Sequence, residues 1–377
     1  MRASPFHLRS AAASVTNSWA DVCGFSVAQA YSDVSREYWA LRNQVGLVDV
    51  SALYKYQISG AEAAPFVDYI LTRNVTEILA RKAGYGFCCD DDGHVICDVV
   101  VQRDESDNFV LTTEEACLAW LFDAATDFNV TISDVTLSVA GLAIQGPRSI
   151  EILQAMRLQN INALPHMGRL AVEQDGLQMT ILRLGLSGEI GFEIWVDAQD
   201  AVILWDRVFA ASDGIPIEAV GRTAYDITRL EAGIPRLNQE FIGAQSAARP
   251  SRAVTPYELG LGRFVQFGGP NFSGRRALLR QRTGPLRQKL VGVTVEGEQS
   301  APEHPILLGQ EVVGAITSSV WSPMLSRVIG LAWIVQVHAD ETGVLKAPML
   351  TPREIKVTPV ERDVRITALP FYRSSGR

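Results

Sequence analysis

Three stretches set polar residues inside otherwise apolar sequence, and chemistry is to be sought at those interruptions. Asp98 stands in the run Val95-Ile96-Cys97-Asp98-Val99-Val100-Val101. An unpaired carboxylate is costly to bury, so either a basic group or a ligand meets it, or the strand lies at a sheet edge and Asp98 faces water. Glu193 closes the segment Arg183 to Trp195, whose three glycines let the backbone turn sharply or pass close to a ligand. Its alternative is the solvated face of a half-buried strand. Within Gly221 to Gly233, Arg222, Asp226 and Arg229 recur at helical spacing, which suits a binding face or an intrahelical ion-pair network. Such groups can recognise a polar or charged ligand and move a proton.

Other chemistries find no support. The chain has no Gly-x-Gly-x-x-Gly opening a helix, no Walker loop, no His-Glu-x-x-His and no Gly-x-Ser-x-Gly. Its five histidines, at 7, 94, 166, 304 and 338, are scattered, and the five cysteines form no Cys-x-x-Cys pair, so no metal site is expected. Asp plus Glu number 42 against 34 Lys plus Arg, a formal net charge of -8. That balance disfavours nonspecific attraction to nucleic acid or an anionic membrane, and an anionic ligand must be held by a local cluster of arginines. The odd cysteine count, the lack of an apolar signal core in Met1 to Ser14 and the lack of a long apolar run point to a cytoplasmic protein.

The elements that must position these residues belong to two or three domains, given 377 residues and about 150 per domain. Hydrophobic residues make up 47%, ample for a core. Periodicity alternates strands and helices, an α+β pattern. Helices are predicted over 33–45, 61–71, 114–125, 148–156, 200–211 and 222–231. Strands are predicted over 46–50, 54–59, 108–113, 130–140, 142–145, 170–173, 178–183 and 192–196. Gly84 to Cys89 and His94 to Val101, joined by Asp90-Asp91-Asp92-Gly93, have the signature of a hairpin. Two related α+β layers are expected over residues 1–280. From Gln288 to the end only short β-prone runs remain, which predicts a small closed β domain over 288–377.

These motifs, together with Gly46-Leu47-Val48-Asp49-Val50-Ser51, Thr255 to Gly262, Gly314 to Ser318, Ser322-Pro323-Met324-Leu325 and Leu369-Pro370-Phe371-Tyr372-Arg373, resemble the aminomethyltransferase family. That family comprises the T-protein of the glycine cleavage system and its tetrahydrofolate-dependent demethylase relatives. The resemblance covers nearly the whole chain. It implies a ring of three domains, two mixed α+β and a C-terminal β-barrel or jelly-roll-like one, around a folate channel, with tetrahydrofolate as cofactor.

Carried over by position, Glu193 would bind the pterin edge, accepting two parallel N–H bonds, and Tyr85 would line the pterin pocket. Arg229 and Arg373 would sit near the cofactor and its anionic tail. Asp98 would manage the departing proton. Tyr85 or Tyr225 is a candidate proton donor to an ether oxygen, and Trp321, with Trp19 and Trp39, a candidate wall of the donor pocket through cation–π contact. The sequence departs from the family at Cys97, where an Asp-Asp pair is usual, at Leu186, where Tyr is usual, and at Ala52-Leu53, where His-Met is usual. These departures favour a tetrahydrofolate-dependent transferase or demethylase acting on a small N-, S- or O-methylated donor. The alternatives are an aminomethyltransferase using a lipoyl carrier protein and a noncatalytic folate-binding scaffold.

Overall fold

The computed structural model describes residues 1–78, 81–104, 108–249, 252–298, 302–353 and 356–374. Its architecture is mixed α+β with a closed C-terminal barrel. A six-stranded sheet is ordered Arg169–Gln174, Leu177–Leu182, Gly191–Asp197, Val139–Gln145, Val45–Asp49, Ile217–Ala219. A five-stranded sheet is ordered Lys82–Cys89, Val95–Arg103, Phe109–Thr113, Tyr54–Ser59, Thr131–Asp134. The chain lays down Val45–Asp49 in the first sheet, builds the second, then returns, so the two sheets are interleaved in sequence. A small N-terminal sheet joins Arg2–Ala3, Phe25–Ala30 and Ser18–Val22.

Local sequence explains the principal elements. The helix Val34–Asn43 begins where the Asp33 side chain accepts a bond from the backbone N–H of Arg36, satisfying one of the free donors of its first turn. The helix Arg222–Glu231 keeps its predicted bounds. Gly141, predicted to separate two strands, lies inside the continuous strand Val139–Gln145. Its register places it opposite Trp195, and a Cβ there would lie 2.5 Å from the indole ring. The missing side chain makes room for the ring. The predicted helix from Glu114 starts only at Leu118, because Glu114 is drawn aside to Arg222 and Arg236.

Each layer has its own core. Ile152, Leu153, Leu204 and Val208 of two helices cover the six-stranded sheet, and Phe66, Val67 and Ile70 cover the five-stranded one. The barrel, closed in the order Gln288–Val295, Arg327–Val335, Glu311–Ser322, Pro305–Leu308, Leu345–Arg353, Lys356–Thr367, is filled by Val293, Ile306, Val328 and Val364. Its last two strands run longer than expected, the prolines within them having masked the pattern. A further cluster ties all three together, joining Phe87, Leu230, Leu259, Leu290 and Leu331.

A buried polar knot lies at the same junction. Glu231 accepts from Tyr38 Oη at 2.8 Å and Ser322 Oγ at 2.5 Å, and pairs with Arg42, whose guanidinium also donates to Ser187 O at 2.7 Å. The Arg42 guanidinium lies 4.4 Å from the centroid of the Tyr372 ring, which holds the closing segment. Charges removed from water this fully must be paired, so the knot specifies how helices, barrel and C-terminus meet. Among the described residues, no helix is long and apolar enough to cross a membrane.

Candidate active site

Where the six-stranded sheet, the helix Arg222–Glu231 and the 49–53 strap converge, they line a partly open cavity. Glu193, Tyr225, Asp49, Leu186, Arg222 and Arg236 are among its lining residues. Glu193 comes from the strand Gly191–Asp197, flanked by Ala143 and Leu182 of the adjacent strands. Trp195, two residues on and so on the same face, donates its Nε1–H to Glu193 Oε2 at 3.1 Å. Burial raises the Glu193 carboxyl from 4.5 to about 7, the indole bond opposing it. No other protein donor to this carboxylate is found among the described residues.

Tyr225 faces Glu193 closely enough that the carboxylate's charge adds to burial in raising the phenol. Its oxygen accepts from the Leu186 N–H at 3.2 Å, which leaves its own proton free to donate. The glycines of the 183–195 segment have a different role from the expected approach to a ligand. A Cβ on Gly185 or Gly191 would strike the Gln145 side chain, at 1.9 and 2.3 Å. Gln145 is fully buried and bonds Leu184 O and Ser187 Oγ, so the glycines close the loop over this internal brace. Only Gly188, at φ +80°, is required by its own backbone.

Asp98 and Tyr85 form a pair of their own. They are diagonal neighbours in the hairpin, Phe87 standing opposite Asp98 and Val100 opposite Tyr85. Tyr85 Oη donates to Asp98 Oδ2 at 2.9 Å. Burial, and next the charge of Glu114, raise the Asp98 carboxyl to about 6, while the Tyr85 bond and Arg236 oppose the rise. Asp98 thus meets a tyrosine rather than a basic group directly; neither it nor Tyr85 is among the cavity's lining residues, though Glu114 and Arg236, which are, act on Asp98 through their fields.

Arg229 lines the cavity but is held by internal acceptors: Asp226 at 3.0 Å, Ile234 O at 2.5 Å, Gln239 at 2.8 Å and Glu240 at 3.1 Å. The ion-pair reading of the 222–229 spacing is seen in the Asp226–Arg229 contact, and Arg222, Tyr225, Asp226 and Arg229 of the helix line the cavity. Arg373 is exposed and is not among the cavity's lining residues. Trp321 packs against the barrel core and is likewise not among the lining residues.

Sequence reasoning missed Glu114, Arg236 and Asp49. Arg236 joins Glu114 at 2.9 Å to Asp226 at 3.1 Å, a bridge between segments with no shared local pattern. Asp49 accepts from Ser4 Oγ at 2.5 Å and the Ser51 N–H at 3.0 Å; the signal for it was its place in the Gly46–Ser51 motif. No group of three or more His, Cys, Asp or Glu among the described residues is placed to hold a metal ion.

Interleaved α+β layers, a C-terminal barrel and a carboxylate-bearing cavity define a protein with the glycine cleavage T-protein fold. Residues 8–269 match the family model described as the GCVT N-terminal domain, and residues 288–372 the glycine cleavage T-protein C-terminal barrel domain. The chain belongs to this family of one-carbon group transferases, the aminomethyltransferases. It is 31% identical over 327 residues to the aminomethyltransferase of Caldanaerobacter subterraneus subsp. tengcongensis, covering 85% of each chain. Its identity to that of Streptomyces avermitilis is 30% over 364 residues, covering 94% of this chain and 93% of the relative. The crystal structure of glycine cleavage system aminomethyltransferase T from Bartonella henselae superposes with a TM-score of 0.85 at 21% identity, covering 98% of both chains, a likeness of fold.

Proposed function

We propose that this protein transfers a one-carbon unit to tetrahydrofolate held in the cavity beneath the 49–53 strap. The Glu193 carboxylate carries the reading: it is buried, held by one indole N–H, and lines a cleft with Tyr225, Arg222 and Arg236, a concave site with a few convergent polar groups. A carboxylate so placed can accept the paired ring N–H and 2-amino donors of a pterin, and Tyr225 can add a phenolic O–H. When bound, tetrahydrofolate supplies N5, a secondary amine nucleophile.

The protein's residues would orient the partners and move a proton. Asp98, titrating near 6, is a base at neutral pH with an affinity for protons suited to accepting one and releasing it. Tyr85 holds its Oδ2 and leaves Oδ1 for that exchange. Arg229, committed to four acceptors, would contribute charge and fix the helix rather than form new bonds. Arg222, which meets Glu114 only at 3.5 Å, and exposed Arg373 are the groups proposed for the anionic tail.

As donor we favour an aminomethyl group on the lipoyl arm of a carrier protein, because the relatives matched across 85% or more of this chain are aminomethyltransferases. A small N-, S- or O-methylated donor is the second reading, favoured by Ala52, Leu53 and Leu186, which give the cavity an apolar wall where the family usually carries His, Met and Tyr. Anaerobic calorimetry with tetrahydrofolate tests the cofactor. Glu193→Gln should cost at least about 1.5 kcal/mol of binding; absence of wild-type binding would refute the reading. Mass spectrometry of the folate product, with a lipoyl carrier in one arm and small methylated compounds in the other, then separates the donors.

A further inference from the structure

Lys55 is a lysine inside the protein, 1% exposed, on the strand Tyr54–Ser59 of the five-stranded sheet. Its ammonium has three donors. Two are accounted for: Nζ donates to Ser51 O and to Leu53 O, each at 2.8 Å. Both carbonyls belong to the strap whose Val50, Ala52 and Leu53 form one wall of the cavity. The ammonium also lies 5.6 Å from the centroid of the Trp195 ring, which belongs to the other sheet. No carboxylate touches it. Asp49 on the strand Val45–Asp49, Asp134 on Thr131–Asp134 and Cys23 in the N-terminal turn act on it only through their fields.

The arrangement joins two parts of the cavity. A cation over an indole face is attracted to the ring and withdraws electron density from it, which makes the indole N–H a better donor. That N–H is the bond to Glu193. The same ammonium pins the strap by its carbonyls, so wall and carboxylate share one support. Burial outweighs the favourable fields of Asp49 and Asp134 and lowers Lys55 to about 8, so the cation is present at neutral pH and titratable just above it.

We propose that Lys55 is a positioning residue for the folate site, setting Glu193 through the Trp195 indole and the cavity wall through the 51–53 carbonyls. The inference rests on the folate reading above. It assigns no contact between Lys55 and ligand.

The test uses the full-length protein and tetrahydrofolate. Lys55→Met, which keeps the chain length and removes the charge, should weaken binding about fivefold to twentyfold. Trp195→Phe should do the same, and the double variant should lose less than the product of the two single losses, because the part carried by the indole is shared while the part carried by the strap carbonyls is not. Unchanged binding by Lys55→Met, or losses that multiply in the double variant, would overturn the proposal.

Fluorescence supplies a second readout. The difference between wild type and Trp195→Phe reports Trp195, and beside a step near pH 7 from Glu193, to which the indole is bonded, it should show a second with a midpoint near pH 8 as the ammonium loses its proton. Lys55→Met, where folded, should abolish the step near pH 8 and leave the Glu193 step; a wild-type difference signal with no step near pH 8 refutes the contact. This arm tests the contact with Trp195 even where Lys55→Met does not fold, and the binding arm separates a positioning lysine from a merely structural one. If wild type fails to bind tetrahydrofolate, the folate reading falls and this inference with it. If wild type binds while Lys55→Met matches it, only the inference falls.

Discussion

The phenol of Tyr85 donates to Oδ2 of Asp98 at 2.9 Å across the hairpin diagonal. Two residues assigned to separate tasks, one to a pterin wall and one to proton transfer, are therefore a single unit. The bond stabilises the ionised carboxylate, while burial and Glu114 oppose ionisation.

Removing the hydroxyl in Tyr85→Phe should move the Asp98 midpoint upward from about 6. Because a base must be ionised, the rate of one-carbon transfer should rise through that midpoint in wild type and through a higher pH in the variant. The deficit should be largest below pH 7 and shrink above it. Asp98→Asn should lower kcat by about 10²–10⁴ above the Asp98 midpoint and remove the rising limb while still binding folate. A pH–rate profile beside calorimetry checks both, and an unmoved limb in Tyr85→Phe would remove the pair from the mechanism.

Glu193 is expected to be a liability to the ligand-free protein. Burial raises its carboxyl from 4.5 to about 7, so between those values the folded state holds a proton that the unfolded chain has released. Stability is then full below pH 4.5 and falls as pH rises through 7. Ionising the group at pH 8 costs on the order of 2–3 kcal/mol. Glu193→Gln should therefore match wild type in urea unfolding at pH 5 and exceed it at pH 8. Asp98 acts with the same sign between 3.8 and about 6, so the site's two raised carboxyls both favour the ligand-free fold at lower pH.

What the sequence disclosed follows the range of the interactions involved. The strand Tyr54–Ser59 and the helix Arg222–Glu231 were legible because each is set by local period. The N-terminal hairpin Ser18–Val22 and Phe25–Ala30 was missed: its two-residue turn puts Cys23 at φ 49° and Gly24 at φ 81°, and Cys is an uncommon residue there. Asp98 and Glu193 were visible as breaks in apolar runs. Their partners were not, since Tyr85 meets Asp98 only once the hairpin register is fixed. Arg236 reaches Glu114 across 122 residues, which no periodicity records. Trp321 shows the converse, an aromatic suited by type to a donor pocket that barrel register directs against the barrel core.

Arg229 separates support from binding. Its guanidinium serves Asp226, Gln239, Glu240 and the carbonyl of Ile234, and Glu240 is 2% exposed. Arg229→Met leaves that buried carboxylate with the Arg236 N–H and the Ser318 hydroxyl but without its cation, and should cost about 3 kcal/mol of stability without any ligand present. Arg222→Ala, which gives up only the 3.5 Å contact to Glu114, should change stability by about 0.5 kcal/mol or less. Thermal unfolding of the two ligand-free variants distinguishes them, and equal losses would contradict the assignment of Arg229 as internal.

Gly141 provides a remote handle on the carboxylate. It faces Trp195 across the strands, and an added Cβ would lie 2.5–2.7 Å from three atoms of the indole. A ring fixed at one end by its strand and at the other by its bond to Glu193 cannot yield as a flexible side chain would. Gly141→Ala should therefore displace the indole, at a stability cost of about 1–3 kcal/mol. The displacement should also take Nε1 out of reach of Glu193 Oε2, now 3.1 Å away. Without that donor the ionised carboxylate loses its one protein partner, and its midpoint should climb above about 7. Folate binding at pH 7 should then weaken more than binding at pH 8.5, where the carboxylate is ionised in both proteins. Calorimetry at the two pH values measures the difference; an equal loss at both would show that Gly141→Ala acts by blocking the cavity rather than through Trp195.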